Sequence, residues 1–249
     1  MKQYQTEAIV LRASAVREAD RTLVLLTRDQ GKLRVWAHGA ARPTSRKRGA
    51  VQPFCRSRFL LERGREIDVV RQAEALEEFP ALHADLEALA LAGYVCELAE
   101  GFAAEGQPDP GIYALLLQVL RRLAEDKSGL PVRFFEARIL ALTGFGPELG
   151  SCAGCGARPV VPARFSPALG GVLCRECRDR DPPACPCGSA VVQVIGKLLE
   201  WPLDRLKVLR IDAATGREAA GILQACVCHH LEREPRSLAF LRKMGISSS

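Results

Sequence analysis

Cys152-Ala153-Gly154-Cys155 and Cys174-Arg175-Glu176-Cys177 are separated by 18 residues, and this spacing is the strongest chemical signal in the chain. A C-x2-C pair repeated across such a gap is the ligand pattern of a structural zinc ribbon. Each pair turns two thiolates toward one metal, with Gly154 or the following Gly156 relieving the tight turn. A redox C-x-x-C instead opens a helix in a βαβ unit and does not come as two copies. One structural zinc ion on Cys152, Cys155, Cys174 and Cys177 is therefore expected. Four protein thiolates leave zinc no open position, which assigns it to folding and not to chemistry. Cys185-Pro186-Cys187 leaves an alternative open, in which Cys185 or Cys187 replaces a ligand of the second pair. Cys226 and His230 stand four residues apart, but they share an apolar stripe with Ala219, Ile222 and Leu223, so core packing is expected of them. The isolated Cys55 and Cys96 read the same way, as small buried groups.

The second signal is charge. Between Lys32 and Arg71 there are 11 basic residues and only 3 acidic ones. Residues 1–80 carry 16 Lys and Arg against 10 Asp and Glu, whereas residues 81–249 carry 19 of each, so the net +6 of the chain is N-terminal. A localised positive surface attracts polyanions, nucleic acid foremost. If Lys32 to His38 is a strand, Leu33, Val35 and Ala37 point inward while Lys32, Arg34, Trp36 and His38 share the outer face. Cations alternating with an aromatic ring suit a single strand: phosphates bind the cations and release counterions, and bases of any sequence stack on the ring. Packing beneath a loop or a neighbouring domain is the other role open to Trp36. The connection from Gly39 to Pro53 adds Arg42, Arg46, Lys47 and Arg48 without one acid. Lys32, Arg34, Trp36, Arg42, Arg46, Lys47, Arg48, Arg56 and Arg58 form the expected DNA-binding set.

The elements that must position these groups follow from periodicity. From Thr6 to Arg71 short apolar runs recur at period two, namely Ala8–Leu11, Thr22–Leu26, Leu33–Trp36, Phe59–Leu61 and Ile67–Val70. Asp29-Gln30-Gly31 and Arg63-Gly64-Arg65 punctuate them as turns. Five strands in about 70 residues is the size of a small closed barrel, the OB-fold being one candidate. After Phe79-Pro80 the period changes: Leu82 to Glu100 reads as one buried helix with Leu82, Leu86 and Leu89 on a face. Ile112 to Leu123 and Pro131 to Thr143 are two further helices, and Val191–Trp201, Arg217–Glu232 and Ser237–Met244 complete the set. The expected fold class is α+β and multidomain: an OB-type barrel over 1–80, an α-helical domain over 81–147 and 190–249, and a four-cysteine zinc module over 148–189 inserted into it.

Several classes are disfavoured. There is no G-x-x-x-x-G-K-[ST], G-x-S-x-G, H-E-x-x-H or G-x-G-x-x-G, so no enzymatic activity is expected. The polar start, Met1 to Glu7, and the lack of any apolar run near the roughly 18 residues that span a bilayer predict a cytoplasmic protein without a membrane partner. A protein-docking adaptor with incidental DNA contact is the competing reading of the charge.

Glu7-Ala8-Ile9-Val10-Leu11-Arg12, Glu18-Ala19-Asp20-Arg21, Thr27 to Lys32 (TRDQGK), His38-Gly39-Ala40, Gln72-Ala73-Glu74-Ala75 and Arg236-Ser237-Leu238 together resemble the RecO family of DNA repair proteins over nearly the whole chain. The resemblance implies an N-terminal OB-fold, a helical C-terminal domain and, in members with the cysteines, an embedded zinc finger. It also implies a recombination mediator that binds single- and double-stranded DNA and anneals complementary strands. With RecR it would help load RecA onto strands covered by single-strand binding protein. Not every member keeps the cysteines, so zinc rests here on their spacing.

Overall fold

The computed structural model describes residues 2–16, 18–42, 45, 47–158 and 163–245. They form two compact units, Met1–Lys127 and Ser128–Ser249. The first unit thus runs past the barrel to take in the helices up to residue 127, which the sequence pattern groups with the later helices.

Five strands build the first unit: β1 (Gln3–Ala15), β2 (Arg21–Thr27), β3 (Lys32–Ala37), β4 (Arg56–Glu62) and β5 (Asp68–Glu77). They close in the order β1-β2-β3-β5-β4, with every pairing antiparallel except β3 against β5. This closed five-stranded barrel is the OB-fold expected from the sequence. Its interior is filled by Ala8, Val10, Leu23, Leu25, Val35 and Phe59, among others. The neighbours of these residues on β1 and β2, Ile9, Leu11, Val24 and Leu26, point outward yet are just as buried, because a helix packs on that face. Continuous apolar runs such as Leu23–Leu26 therefore mark strands covered on both sides.

The expected single helix from Leu82 is two helices, α1 (Pro80–Ala84) and α2 (Leu86–Phe102). Asp85 breaks them: its backbone is extended, at φ −133° and ψ 128°, and its carboxylate accepts the Ala88 N–H at 2.9 Å. Capping satisfies a backbone donor that the start of a helix would otherwise leave unpaired. Leu86 consequently leaves the buried face and is 53% exposed, while Leu82 is fully buried. α2 is the helix lying over β1 and β2, and α3 (Pro110–Leu123) packs beside it. In α3 the predicted apolar stripe from Ile112 to Leu123 is buried throughout.

The second unit holds α4 (Leu130–Leu142), α5 (Ser189–Glu200), α6 (Ala213–Leu231) and α7 (Arg236–Lys243). Between α4 and α5 lies a small antiparallel sheet in the order β7-β6-β8, made of β6 (Ala163–Ser166), β7 (Gly171–Leu173) and β8 (Cys185–Cys187). Inside α4, Arg133 and Glu136 form a buried ion pair at 2.7 Å, one helical turn apart. Among the described residues no helix is long and apolar enough to cross a membrane.

Two of these local contacts should be measurable as stability. Replacing the helix cap, Asp85→Ala, should lower the unfolding free energy by about 1 kcal/mol in a urea titration. Arg71 forks onto Glu62 at 2.7 and 2.8 Å, and this bond, with the Gln3 amide, pulls the Glu62 carboxyl from 4.5 down to about 2. A depressed folded pKa stabilises above the unfolded value and is lost on acidification. Glu62→Gln should therefore melt below the parent near neutral pH, and the gap should close as pH falls from about 4.5 toward 2.

Candidate metal centre and nucleic-acid interface

The four cysteines named by spacing come together. Their Sγ atoms all lie within 4.8 Å of one another, and Cys155 and Cys174 are 3.8 Å apart. A metal ion bound tetrahedrally at about 2.3 Å from each sulfur would place the sulfurs about 3.8 Å apart, so the thiol set fits an ion held by four thiolates. The local chain explains the arrangement. Cys152 and Cys177 are buried against Leu173 and Ala184, while Cys155 is exposed. Gly156 takes φ +75°, which lets the first knuckle reverse, and a side chain at Gly154 would meet the Cys177 Sγ at 3.0 Å.

Electrostatics favour a thiolate at Cys152, whereas burial and the neighbouring thiols push the Cys177 thiol up to about 12. Burial raises the Cys152 thiol, but N–H groups of Cys174, Gly154 and Cys155 aimed at its sulfur outweigh burial and bring it down to about 6. Backbone donors around a sulfur stabilise its charged form. Cys185 and Cys187 sit on β8 and are not part of the four-thiol group. Burial, with nearby charges, pushes the Cys187 thiol up to about 11, keeping it protonated. Cys226 is buried and pushed up to about 12, chiefly by burial. His230, expected in the same stripe, lies at its edge and stacks on Phe145 with ring centres 4.0 Å apart. Cys55 and Cys96 are both buried.

The expected DNA-binding residues divide by what they touch. On β3 the alternation holds: Leu33, Val35 and Ala37 join the barrel core, and Arg34 is exposed on the outer face. Arg34, Arg42 and Arg48 are all exposed, and among the described residues none of them has an ion-pair partner. Trp36 is half-buried beside His38, with ring centres 5.5 Å apart. Asp20 secures that end of the strand by accepting the Gly39 N–H at 2.8 Å and facing His38 Nδ1 at 3.2 Å. The Gly39 N–H above all holds the Asp20 carboxyl below its usual value.

The other members are engaged. Lys32 donates to the Glu100 carbonyl at 2.6 Å, in the last turn of α2, where a cation complements the helix dipole. Lys47 is half-buried and donates to the Val70 carbonyl at 2.8 Å. Arg56 pairs with Glu7 at 2.8 Å and Glu77 at 3.7 Å, and Arg58 reaches Glu74 at 3.3 Å and Glu7 at 3.8 Å. Arg46 lies outside the described residues.

Comparison with known proteins agrees with this architecture. The model "Recombination protein O N terminal" matches residues 1–79, and "Recombination protein O C terminal" matches residues 83–239. The chain belongs to the RecO family. It is 96% identical, over the whole of both chains, to the DNA repair protein RecO of Desulforudis audaxviator. It is 42% identical to the DNA repair protein RecO of Pelotomaculum thermopropionicum over 245 residues, covering 98% of this chain and 96% of that one. Against the RecO of Desulforamulus reducens the identity is 38%, with the same coverage.

Within this RecO chain, Arg71 is a cation that lies outside the DNA-binding set expected from the sequence. Its place beside Lys47 comes from a bulge in β5 at the Leu60/Leu61 register shift, which no local pattern announces.

The metal centre can be tested by its stoichiometry. Metal analysis of purified Cys174→Ser and Cys185→Ser proteins should show stoichiometric metal lost from the first and kept by the second. The reverse result would move the fourth ligand to β8.

Proposed function

We propose that the protein is a recombination mediator in DNA repair. On this reading it binds single- and double-stranded DNA largely without sequence preference and anneals complementary strands. With RecR it helps load RecA onto DNA covered by single-strand binding protein, in the cytoplasm at the nucleoid. Family membership supports the repair role, since the relatives above bear the name DNA repair protein RecO. The DNA-binding part rests on one observation: Arg34, Arg42 and Arg48 stand exposed, without acidic partners among the described residues, on β3 and the segment after it, beside the half-buried Trp36.

Annealing on such a surface is electrostatic. Two strands repel through their phosphates, and cations that hold both lower that barrier. No covalent step and no nucleotide hydrolysis are needed, so we assign no enzymatic activity. At the four-cysteine cluster we assign one structural zinc ion; bound there, it contributes folding free energy and leaves no coordination position open for chemistry.

Fluorescence anisotropy with two oligonucleotides of unrelated sequence, across a range of salt, tests this reading. Binding should be equal for the two sequences and fall linearly in log–log form with salt. Each phosphate contact on a single strand contributes about 0.7 to the slope. Converting Arg34, Arg42 and Arg48 together to Gln should reduce the slope by about 2. Arg56→Gln should leave it unchanged, because Glu7 and Glu77 already occupy that charge. A sharp preference between the sequences, or an unchanged slope in the triple variant, would refute the proposed interface. Absence of binding would favour the adaptor.

A further inference from the structure

A groove of about 410 Å³ opens on the barrel where β1, β4 and β5 run side by side. Small-molecule sites start at roughly 300 Å³, so this one has room for a single nucleotide. Its lining is chemically divided. Lys47, Arg58 and Arg71 supply positive charge, and Leu60 an apolar surface. Gln5 and Gln72 offer both donors and acceptors, and Glu74 one acid. Arg34, Trp36, Arg42 and Arg48 take no part in it.

The cations of the groove are poised unequally. Arg71 is forked onto Glu62, and Arg58 is held loosely, 3.3 Å from Glu74 and 3.8 Å from Glu7. Lys47 has no carboxylate partner among the described residues; it reaches only the Val70 carbonyl. Burial first, and then the charge of Arg71, disfavour its ammonium form. A cation held in that position against a like charge is unfavourable in the free protein, and an anion entering the groove would relieve it. A phosphate supplies that anion. The base attached to it would meet Leu60 and two amides able to satisfy donors or acceptors, which suits any sequence.

We propose that this groove holds one nucleotide of a second DNA strand, with its phosphate beside Lys47, the lining cation with no carboxylate partner among the described residues, and its base over Leu60. The first strand occupies the unpaired cations of β3 and the segment after it. The inference rests on the nucleic-acid reading above and deepens it: annealing requires two strands on one surface, and the barrel offers two separate sets of groups for them.

The full-length protein tests this with sign-matched variants at exposed positions of the groove. Glu74→Gln removes its acid, and Gln72→Glu adds one. The annealing rate of complementary oligonucleotides, read by energy transfer, should rise several-fold in the first and fall roughly ten-fold in the second. Affinity for one labelled oligo-dT should stay within about two-fold of the parent, and melting temperatures should match it. A 4-thiothymidine strand photo-crosslinked to the annealing complex should mark the peptide carrying Gln72. If the parent anneals DNA and both variants anneal at its rate, the groove assignment falls while the DNA-binding reading stands. If affinity for the single oligonucleotide changes along with annealing, the groove belongs to the first strand and the second-strand assignment falls. If the parent binds no oligonucleotide, the functional reading itself fails and takes the groove with it.

Discussion

Closure of the barrel is the constraint on which the proposed nucleic-acid surface depends. β3 meets β5 through only two parallel pairs, Val35 with Asp68 and Trp36 with Val69. The Tyr4 hydroxyl on β1 bonds the Asp68 carboxylate at the same edge, and burial together with that carboxylate raises the tyrosine pKa. Once the sheet closes, each outward side chain has a fixed position around the barrel, since alternate residues face in and out along every strand. α2 then covers the outer face of β1 and β2, with Lys32 fastened to its last turn. What the barrel can offer a polyanion is therefore decided on β3, β4, β5 and their connections. The β2–β3 platform that OB-folds commonly use is half closed here.

Net charge along the sequence located the basic segment correctly but could not say which cations are free. Arg56 is neutralised by Glu7, 49 residues earlier, and by Glu77 at the far end of β5. Arg58 finds Glu74, 16 residues later. These partners lie on neighbouring strands, and only the register of the sheet brings them together. The exposed pairs are weak, on the order of 0–1 kcal/mol each, so a phosphate can compete for Arg58. The buried Arg133–Glu136 pair in α4 is of a different kind: with both groups out of water, it is screened far less than the surface pairs and breaking it costs more.

Local signals were legible and non-local ones were not, for reasons visible in single residues. The β3 alternation, the α3 stripe and the C-x2-C spacing each depend on neighbours within a few positions, and each appears in the structure as read. The break at Asp85 was hidden because Leu82, Leu86 and Leu89 fit a helical period. The competing cap outweighed that period at a residue whose side chain can replace a backbone partner. Lys32 reads as a surface cation by its strand position, yet its ammonium is used by the end of a helix, at Glu100, 68 residues away. The groove combines a bulge in β5, a lysine from the β3–β4 connection and two glutamines from different strands, none of which is informative alone.

The two chemical signals of the sequence thus operate by opposite rules. The four thiols lie within 4.8 Å of one another, as four ligands of a single metal ion would have to, so spacing suffices to find the candidate site, and backbone N–H groups favour a thiolate at Cys152. Binding to a phosphate backbone is tolerant: any cation within reach of a phosphate contributes, and many arrangements serve. Charge density therefore points to a polyanion as the class of partner proposed above, while the contacts depend on which acids the fold brings near. A surface built this way would hold DNA without reading it, since Arg34, Arg42 and Arg48 contribute charge more than base-edge geometry. Annealing places the same demand: a protein that pairs arbitrary complementary strands must leave base edges free for each other and confine its own contacts to phosphates and base faces.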